Sequence, residues 1–311
     1  MNRSSLKAIL EAQYGFTVRS LEPAPRQFVA ETYYVDVDSG QRYFCKVVEK
    51  PLFVESIQVG LPAIAELQSL GYENACFPLA RKDGALSVLE DGHLIVLWTY
   101  INAPQSYDYD LFTLGQRIAE VHALTAKLTS EVPVERFVFK HADLFEEQFE
   151  WTLESGDSSL LHKEFQSVMR AHEAEVRGFY DQLKALSQAL NAADYEMVFT
   201  HGDIGGNVLV KAPKHLYIVD WDENRLAPKE RDLWTLWQQS GFLEGYRSVR
   251  PGAGVDEPAR RYSILVYFFY ALLHYFREII DGPTEPHRRR MLTDLDAYFE
   301  GWIRPYLDSL E

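Results

Sequence analysis

His201-Gly202-Asp203-Ile204-Gly205-Gly206-Asn207 is followed, thirteen residues after its Asn, by Asp220 in Ile218-Val219-Asp220-Trp221-Asp222. The first run sets a carboxylate on a short, glycine-loosened loop and an amide at that loop's end. The second sets another carboxylate at the end of the next apolar segment. Taken singly, each is an ordinary turn residue, because Asp, Asn and Gly dominate loops. Together they are the set that phosphoryl transfer needs: an Asp to receive or orient a hydroxyl, and an Asn and an Asp to hold magnesium ions on a nucleotide. Val208-Leu209-Val210 reads as a short strand and Leu216-Tyr217-Ile218-Val219 as its hairpin partner. A hairpin bounded by Asn207 and Asp220 brings the two metal-ligand candidates together. Mg2+ takes few protein oxygens beside phosphate oxygens, which suits one amide and one carboxylate. His201 reads as a packing or hydrogen-bonding residue of the loop rather than a catalytic base.

Upstream, Thr32-Tyr33-Tyr34-Val35-Asp36-Val37, a turn at Asp38-Ser39-Gly40, and Gln41 to Val48 form a β-hairpin. Lys46 lies near the end of its second strand. Such a lysine either snorkels from a sheet edge or pairs with nucleotide phosphates and a helix Glu. Its place before a helical segment, Ile57 to Leu70, and upstream of the Asp/Asn/Asp set favours the second reading. Glu55 is the preferred helix partner; Gln58 and Glu66 are the alternatives. Gly71 closes that helix. Between Leu21 and Thr32, where a phosphate-cradling loop belongs, there is no glycine. His93 to Ile101 is a nearly continuous apolar run, read as a buried strand, and Asn102-Ala103-Pro104-Gln105 breaks it. Beyond it Leu111, Leu114, Ile118, Val121, Leu124 and Leu128 step by three and four after Asp110, a helix N-cap. Further helices are expected up to Asn191, over Tyr262–Ile280 and over Arg288–Leu307. The organisation is a small β-rich lobe, a linker and a large helical lobe.

With 311 residues, 47% of them hydrophobic, the chain builds a sizeable core. A formal net charge of −15 argues against a nucleic-acid surface and is compatible with a cationic small substrate. Cys45 and Cys76, in no metal spacing, fit a reduced, cytoplasmic setting. The N-terminal stretch reads as helix rather than a secretory segment. The apolar segment Ile264 to Leu273 is too short to span a bilayer and reads as a core helix, so no membrane partner is expected.

At the residues quoted first, the chain resembles the aminoglycoside phosphotransferase and small-molecule kinase family, relatives of the protein kinases. The family pattern is His-Gly-Asp, a few residues, Asn, then a strand and an Asp near Trp or Phe. Tyr217 to Leu233, and Ile95 to Pro104, are especially similar to the spectinomycin phosphotransferase branch. The resemblance covers most of the chain, in order. It implies an α+β, bilobal protein-kinase-like fold: a β-rich lobe over 1–97, a linker over 98–104 and a helical lobe over 105–311. Asp203 would be the catalytic aspartate, Asn207 and Asp220 the magnesium ligands, and Lys46 the phosphate-binding lysine. The backbone of Trp98, Thr99, Tyr100 and Ile101 would hold the adenine of ATP, with GTP left open. Asp232 would brace the catalytic loop, beside His201. The implied reaction moves the γ-phosphate to a hydroxyl of a small molecule, aminoglycoside- or aminocyclitol-like, with antibiotic resistance as its consequence. Asp222 and Glu223 would meet the acceptor's ammonium groups. Choline-, homoserine- or sugar-like acceptors, or a degenerate nucleotide-binding scaffold, are the alternatives, as monomer or homodimer. Asn207 lies four residues after Asp203 where the kinase pattern has five, a shortening that Gly205-Gly206 is expected to absorb.

Overall fold

The computed structural model describes residues 1–25, 30–49 and 51–310. The class is α+β, as the sequence implies. The chain divides into two compact units. The first comprises Met1–Glu135, Glu196–Asp232 and Leu236–Gly254; the second comprises Arg136–Tyr195, Leu233–Thr235 and Val255–Glu311.

In the first unit, α1 (Arg3–Tyr14) starts at Asn2, whose side chain accepts the Ser5 amide at 2.9 Å. Strands β1 (Val18–Pro23), β2 (Ala30–Val37), β3 (Arg42–Val48), β4 (Val88–Glu90) and β5 (His93–Thr99) form an antiparallel sheet ordered β1-β2-β3-β5-β4. The β2–β3 hairpin falls where the alternation puts it. The expected glycine-free loop between Leu21 and Thr32 is only partly a loop. Leu21 to Pro23 pair with Val35 to Tyr33 as an edge strand, while residues 26–29 lie outside the described residues. Pro23 and Pro25 disguise this strand in the sequence; proline is tolerated at a strand end on a sheet edge.

The two-residue period of these strands sorts their side chains. Tyr33, Val35, Val37, Cys45, Val47, Ile95 and Leu97 join Leu6 and Leu10 of α1 in one apolar core. Thr32, Lys46 and Val96 are in register on the opposite face, as are Tyr34, Phe44 and Trp98. One face is therefore core, and the other carries a single lysine among aromatics.

Helix α2 (Pro51–Ser69) follows β3, and Gly71 at φ 89° ends its turn. Helix α3 (Leu111–Leu124) starts at Asp110, which accepts the Thr113 amide at 2.8 Å. Strand β6 (Val198–Thr200) pairs with β9 (Arg225–Ala227), and β7 (Val208–Ala212) with β8 (His215–Ile218). A short α7 (Glu230–Leu233) and then α8 (Phe242–Val249) follow. Helices α3 and α8 cross at two glycines. A β-carbon on Gly115 would collide with the Phe242 carbonyl, and one on Gly245 with the Phe112 carbonyl.

The second unit is helical: α4 (Ala142–Glu154), α5 (Leu160–Ala171), α6 (Glu173–Asn191), α9 (Glu257–Asp281), α10 (Glu285–Glu300) and α11 (Arg304–Asp308). Its core is rich in phenylalanine, with Phe145, Phe165, Phe268, Phe269, Phe276 and Phe299 all buried. Helix α9 is long and apolar enough to cross a membrane by length and hydropathy. Its apolar residues, among them Ile264, Leu265 and Leu272, are packed in this core. The single helix expected over Arg288–Leu307 is broken at Gly301. Pro305 has no amide to give the Gly301 carbonyl, so the chain restarts as α11.

Gly245→Ala is expected to cost about 2–3 kcal/mol by overpacking the α3–α8 crossing. Denaturant unfolding measures this, and an unchanged midpoint would mean that the helices have room to part.

Candidate active site

His201 leaves β6 buried at 1% exposure, and its ring is fully committed. Nε2 lies 2.8 Å from the Val219 carbonyl, and Nδ1 lies 3.1 Å from the Asp203 amide nitrogen. A carbonyl accepts and an amide donates, so the proton sits on Nε2. Neither nitrogen remains for a substrate, and both bond backbone groups of the loop and of the segment before Asp220. Gly202 adopts φ 92°, and the Arg231 guanidinium fills the space where a side chain would stand. Both constraints demand glycine. Asp232 accepts the His201 amide at 2.8 Å and the Gly202 amide at 2.6 Å, bracing the loop from beneath.

Asp203 follows at once. Burial pushes its carboxyl above the ordinary range, although His201 opposes this and Asp220 adds to it. Asn207 Nδ2 donates to the Asp203 carbonyl at 2.7 Å and to its Oδ2 at 3.1 Å. The four-residue spacing is met by a turn in which the Asn207 amide bonds the Ile204 carbonyl at 2.9 Å. Gly205 and Gly206 are not in the left-handed region, contrary to expectation. Gly206 instead admits a close neighbour, since its carbonyl accepts from the Gln105 side chain and the Tyr107 hydroxyl stands over its α-carbon.

The β7–β8 hairpin joins Asn207 to Asp220. Val208 pairs with Ile218, and the Val219 amide bonds the Asn207 carbonyl at 3.0 Å. Asp220 sits at φ 67°, a left-handed conformation rare outside glycine. Its carboxylate pairs with Lys46 Nζ, which also donates to Asp222 Oδ1 at 2.9 Å. The Lys46 side chain is only 4% exposed, and its ammonium lies 5.7 Å from the Trp98 ring centre. Burial favours the neutral amine, but the two carboxylates outweigh it and raise the Lys46 pKa. The acids divide unequally. Burial would raise Asp220, yet Lys46 holds it below the ordinary range. Asp222, more deeply buried, is pushed up to about 6 by burial against the opposing pull of Lys46.

Two assignments read from the sequence move, those of Glu55 and Asp222. Glu55 is exposed on α2 and is not the partner of Lys46; Asp220 and Asp222 are. Glu66 is turned the other way and accepts the Thr129 and Ser130 amides, each at 2.9 Å. Asp222 is drawn into the Lys46 cluster, and Glu223 pairs with Arg225 at 2.9 Å and Arg231 at 3.5 Å. Asp222 is thereby taken from an acceptor, because a buried charge pairs with the nearest cation, whereas Glu223 keeps 42% of its side chain exposed. Trp98 and Thr99, expected to begin the linker, are the last residues of β5, and Tyr100 and Ile101 follow it; Thr99 is fixed to Phe77 by its amide and hydroxyl, both at 2.9 Å. Tyr34, Phe44 and Tyr100 stand half-buried on or beside the Lys46 face, a surface suited to a flat base.

Sequence reading missed what stands behind Asp232. His122 of α3 places Nε2 3.0 Å from Asp232 Oδ2 and Nδ1 2.8 Å from the Tyr246 hydroxyl on α8. Arg250 donates to that hydroxyl at 3.0 Å and pairs with Glu196. Burial would raise the Asp232 carboxyl, but the hydrogen bond from His122, with the Arg231 guanidinium nearby, holds it low. His122 sits among apolar residues at helical spacing, and nothing local marks its partner.

Among the described residues no three His, Cys, Asp or Glu side chains converge as a metal cage. What is present is the Asn207 amide hydrogen-bonded to Asp203 and, at the other end of the hairpin, the carboxylates of Asp220 and Asp222 on Lys46. That set is short of positive charge and fits a divalent cation whose shell is completed by phosphate.

The family model described as phosphotransferase enzyme family matches residues 20–262. No curated protein gives a sequence match. Among solved structures, the chain is similar to a spectinomycin phosphotransferase in complex with ADP and spectinomycin. The TM-score is 0.75 at 19% identity, covering 99% of this chain and 98% of that one. An amicoumacin kinase in complex with AMP-PNP and Ca2+ gives a TM-score of 0.66 at 14% identity, over 99% and 94% of the two chains. An aminoglycoside phosphotransferase from Alicyclobacillus acidocaldarius gives 0.58 at 13% identity, over 96% and 93%.

Asp232→Asn puts an amide donor against loop amides that need an acceptor. Stability is expected to fall by about 1–3 kcal/mol by denaturant titration. Glu66→Gln is expected to cost about 1 kcal/mol at neutral pH, after allowance for solvent screening. Hydrogen bonds from Ser130 and Thr129 hold the Glu66 pKa down at about 2, so its contribution is full above the unfolded carboxylate range. It fades as pH falls toward about 2. The wild-type and Gln proteins should therefore converge in acid; a constant gap would mean that the carboxylate's charge contributes nothing.

Proposed function

The chain belongs to the phosphotransferase enzyme family, and on that premise we propose that it is an ATP- and Mg2+-dependent kinase of aminoglycoside- or aminocyclitol-like alcohols. Phosphotransfer to small-molecule hydroxyls is the family's activity; the nucleotide, the metal and the acceptor are the finer reading. The observation that carries it is the convergence of Lys46, Asp203, Asn207 and Asp220 in one compact unit.

In this reading Lys46 binds the α- and β-phosphates, and the backbone of Trp98 to Ile101, from the end of β5 into the segment after it, holds the adenine. Asn207 and Asp220 hold Mg2+, which when bound would neutralise charge on the phosphate oxygens. Asp203 orients the acceptor hydroxyl and takes its proton. A new bond forms from the acceptor oxygen to the γ-phosphorus, the bond to the β,γ-bridging oxygen breaks, and ADP departs. The raised Asp203 carboxyl suits this role, since a more basic carboxylate takes a hydroxyl proton more readily. Positioning and charge supply most of the acceleration. His201 and Asp232 keep the loop in shape without touching substrate.

Similarity over nearly the whole chain to a spectinomycin phosphotransferase solved with spectinomycin supports an aminocyclitol acceptor. The −15 net charge supports a cationic one. The free cysteines Cys45 and Cys76 support a reducing, cytoplasmic setting. Of the two acids expected to meet the acceptor's ammonium groups, Asp222 is taken by Lys46, which leaves Glu223, its side chain 42% exposed, as the one to meet them.

ATP consumption should be screened with spectinomycin, aminoglycosides, choline, homoserine and pentoses. Turnover with an aminocyclitol or aminoglycoside is expected, and turnover confined to another class would replace the acceptor. Asp203→Ala is expected to lower turnover at least about a thousandfold while Mg·ADP still raises the melting temperature. Wild-type turnover in that variant would remove Asp203 from the mechanism.

A further inference from the structure

We infer that Asp222 is the residue that positions Lys46, taking the part that an acid on the following helix plays in protein kinases. In those enzymes the strand lysine must be paired with a helix Glu before it can serve the nucleotide. Here no acid of α2 serves. Glu55 is exposed, and Glu66 is spent on Thr129 and Ser130. Asp222 Oδ1 receives Lys46 at 2.9 Å, with the two side chains 10% and 4% exposed.

The second acid on Lys46 cannot be its standing partner. Asp220 is the metal ligand of the kinase reading, on which this inference rests, and its carboxylate must turn to a cation when nucleotide is present. Asp222 lies two residues on and on the same loop, so it keeps the ammonium aimed once Asp220 is engaged. Asp222 Oδ2 is buried without a hydrogen-bond partner, which leaves Lys46 as the cation that compensates this carboxylate.

The loop itself is fixed against α2. Gly60 lies so close to the Asn224 side chain that a β-carbon could not fit. Asn224 is buried and donates to the Trp221 carbonyl at 2.6 Å. Helix α2 thus acts as a wall that holds the 220–224 loop, and the loop holds the lysine. Unlike a helix-borne acid, this anchor does not depend on a helix swinging in. Lys46 is therefore ready for nucleotide in the resting enzyme.

The test is a double-mutant cycle on Mg·ADP affinity, by titration calorimetry, with Asp222→Asn, Lys46→Ala and the double variant. Asp222→Asn alone is expected to weaken binding about tenfold. In the Lys46→Ala background the same change should add nothing, because Asp222 acts through Lys46. Glu55→Gln should bind within about twofold of wild type, as an exposed acid contributes little. An additive loss in the double variant, or a loss at Glu55→Gln with none at Asp222→Asn, would overturn the inference. Melting temperatures of all variants check that they fold, and Asp222→Ser serves should the Asn variant not. A wild-type protein that binds no Mg·ADP would overturn the kinase reading itself, and this inference with it.

Discussion

Asp232 is a carboxylate at 4% exposure with three donors aimed at it, and the 201–207 loop takes its shape from that fact. Two consecutive backbone amides, of His201 and Gly202, point at its oxygens, and His122 closes the set. A buried carboxylate is tolerable only with such partners. Satisfying it with consecutive amides forces the chain to reverse tightly, which only glycine at 202 permits with Arg231 packed beneath it. Asp203 is then delivered as the next residue. The α3–α8 crossing supports this from behind, because glycine contacts bring Tyr246 within reach of His122.

The other half of the site depends on a shortage of positive charge. Asp220 and Asp222 share one lysine, Asp203 lies near enough to Asp220 to feel its charge, and the three carboxyl groups respond differently. Asp220 is held acidic by Lys46, while burial lifts Asp203 and Asp222. Such a cluster is poised for an added cation. The strained backbone of Asp220, at φ 67°, stores part of the cost of presenting its carboxylate there.

Much of this was legible in the residues. The β2–β3 hairpin announced itself by alternation around Asp38-Ser39-Gly40. Asp110 marked the start of α3, and the hairpin between Asn207 and Asp220 could be read from two short apolar runs. Each is a local signal, set by backbone preference and side-chain period. The edge strand β1 was hidden by its terminal Pro23 and by Pro25 just after it, and the break at Gly301 was masked by apolar periodicity that continues past it. Ion-pair partners were least legible. Glu55 was the natural choice for Lys46 by position, yet acids 174 and 176 residues downstream in the chain hold it.

The sequence alone determined the chemistry on offer: a carboxylate after a glycine that must turn, an amide, a second carboxylate and a strand lysine. It also determined the α+β class, because strand and helix periods are written locally. Only the tertiary structure decided which charge meets which. Burial makes an unpaired charge costly, so each buried ion takes whatever counter-ion the folded chain brings near, regardless of separation along the chain. That selection gave Lys46 to Asp222, Glu66 to the amides of residues 129 and 130, and Asp232 to His122.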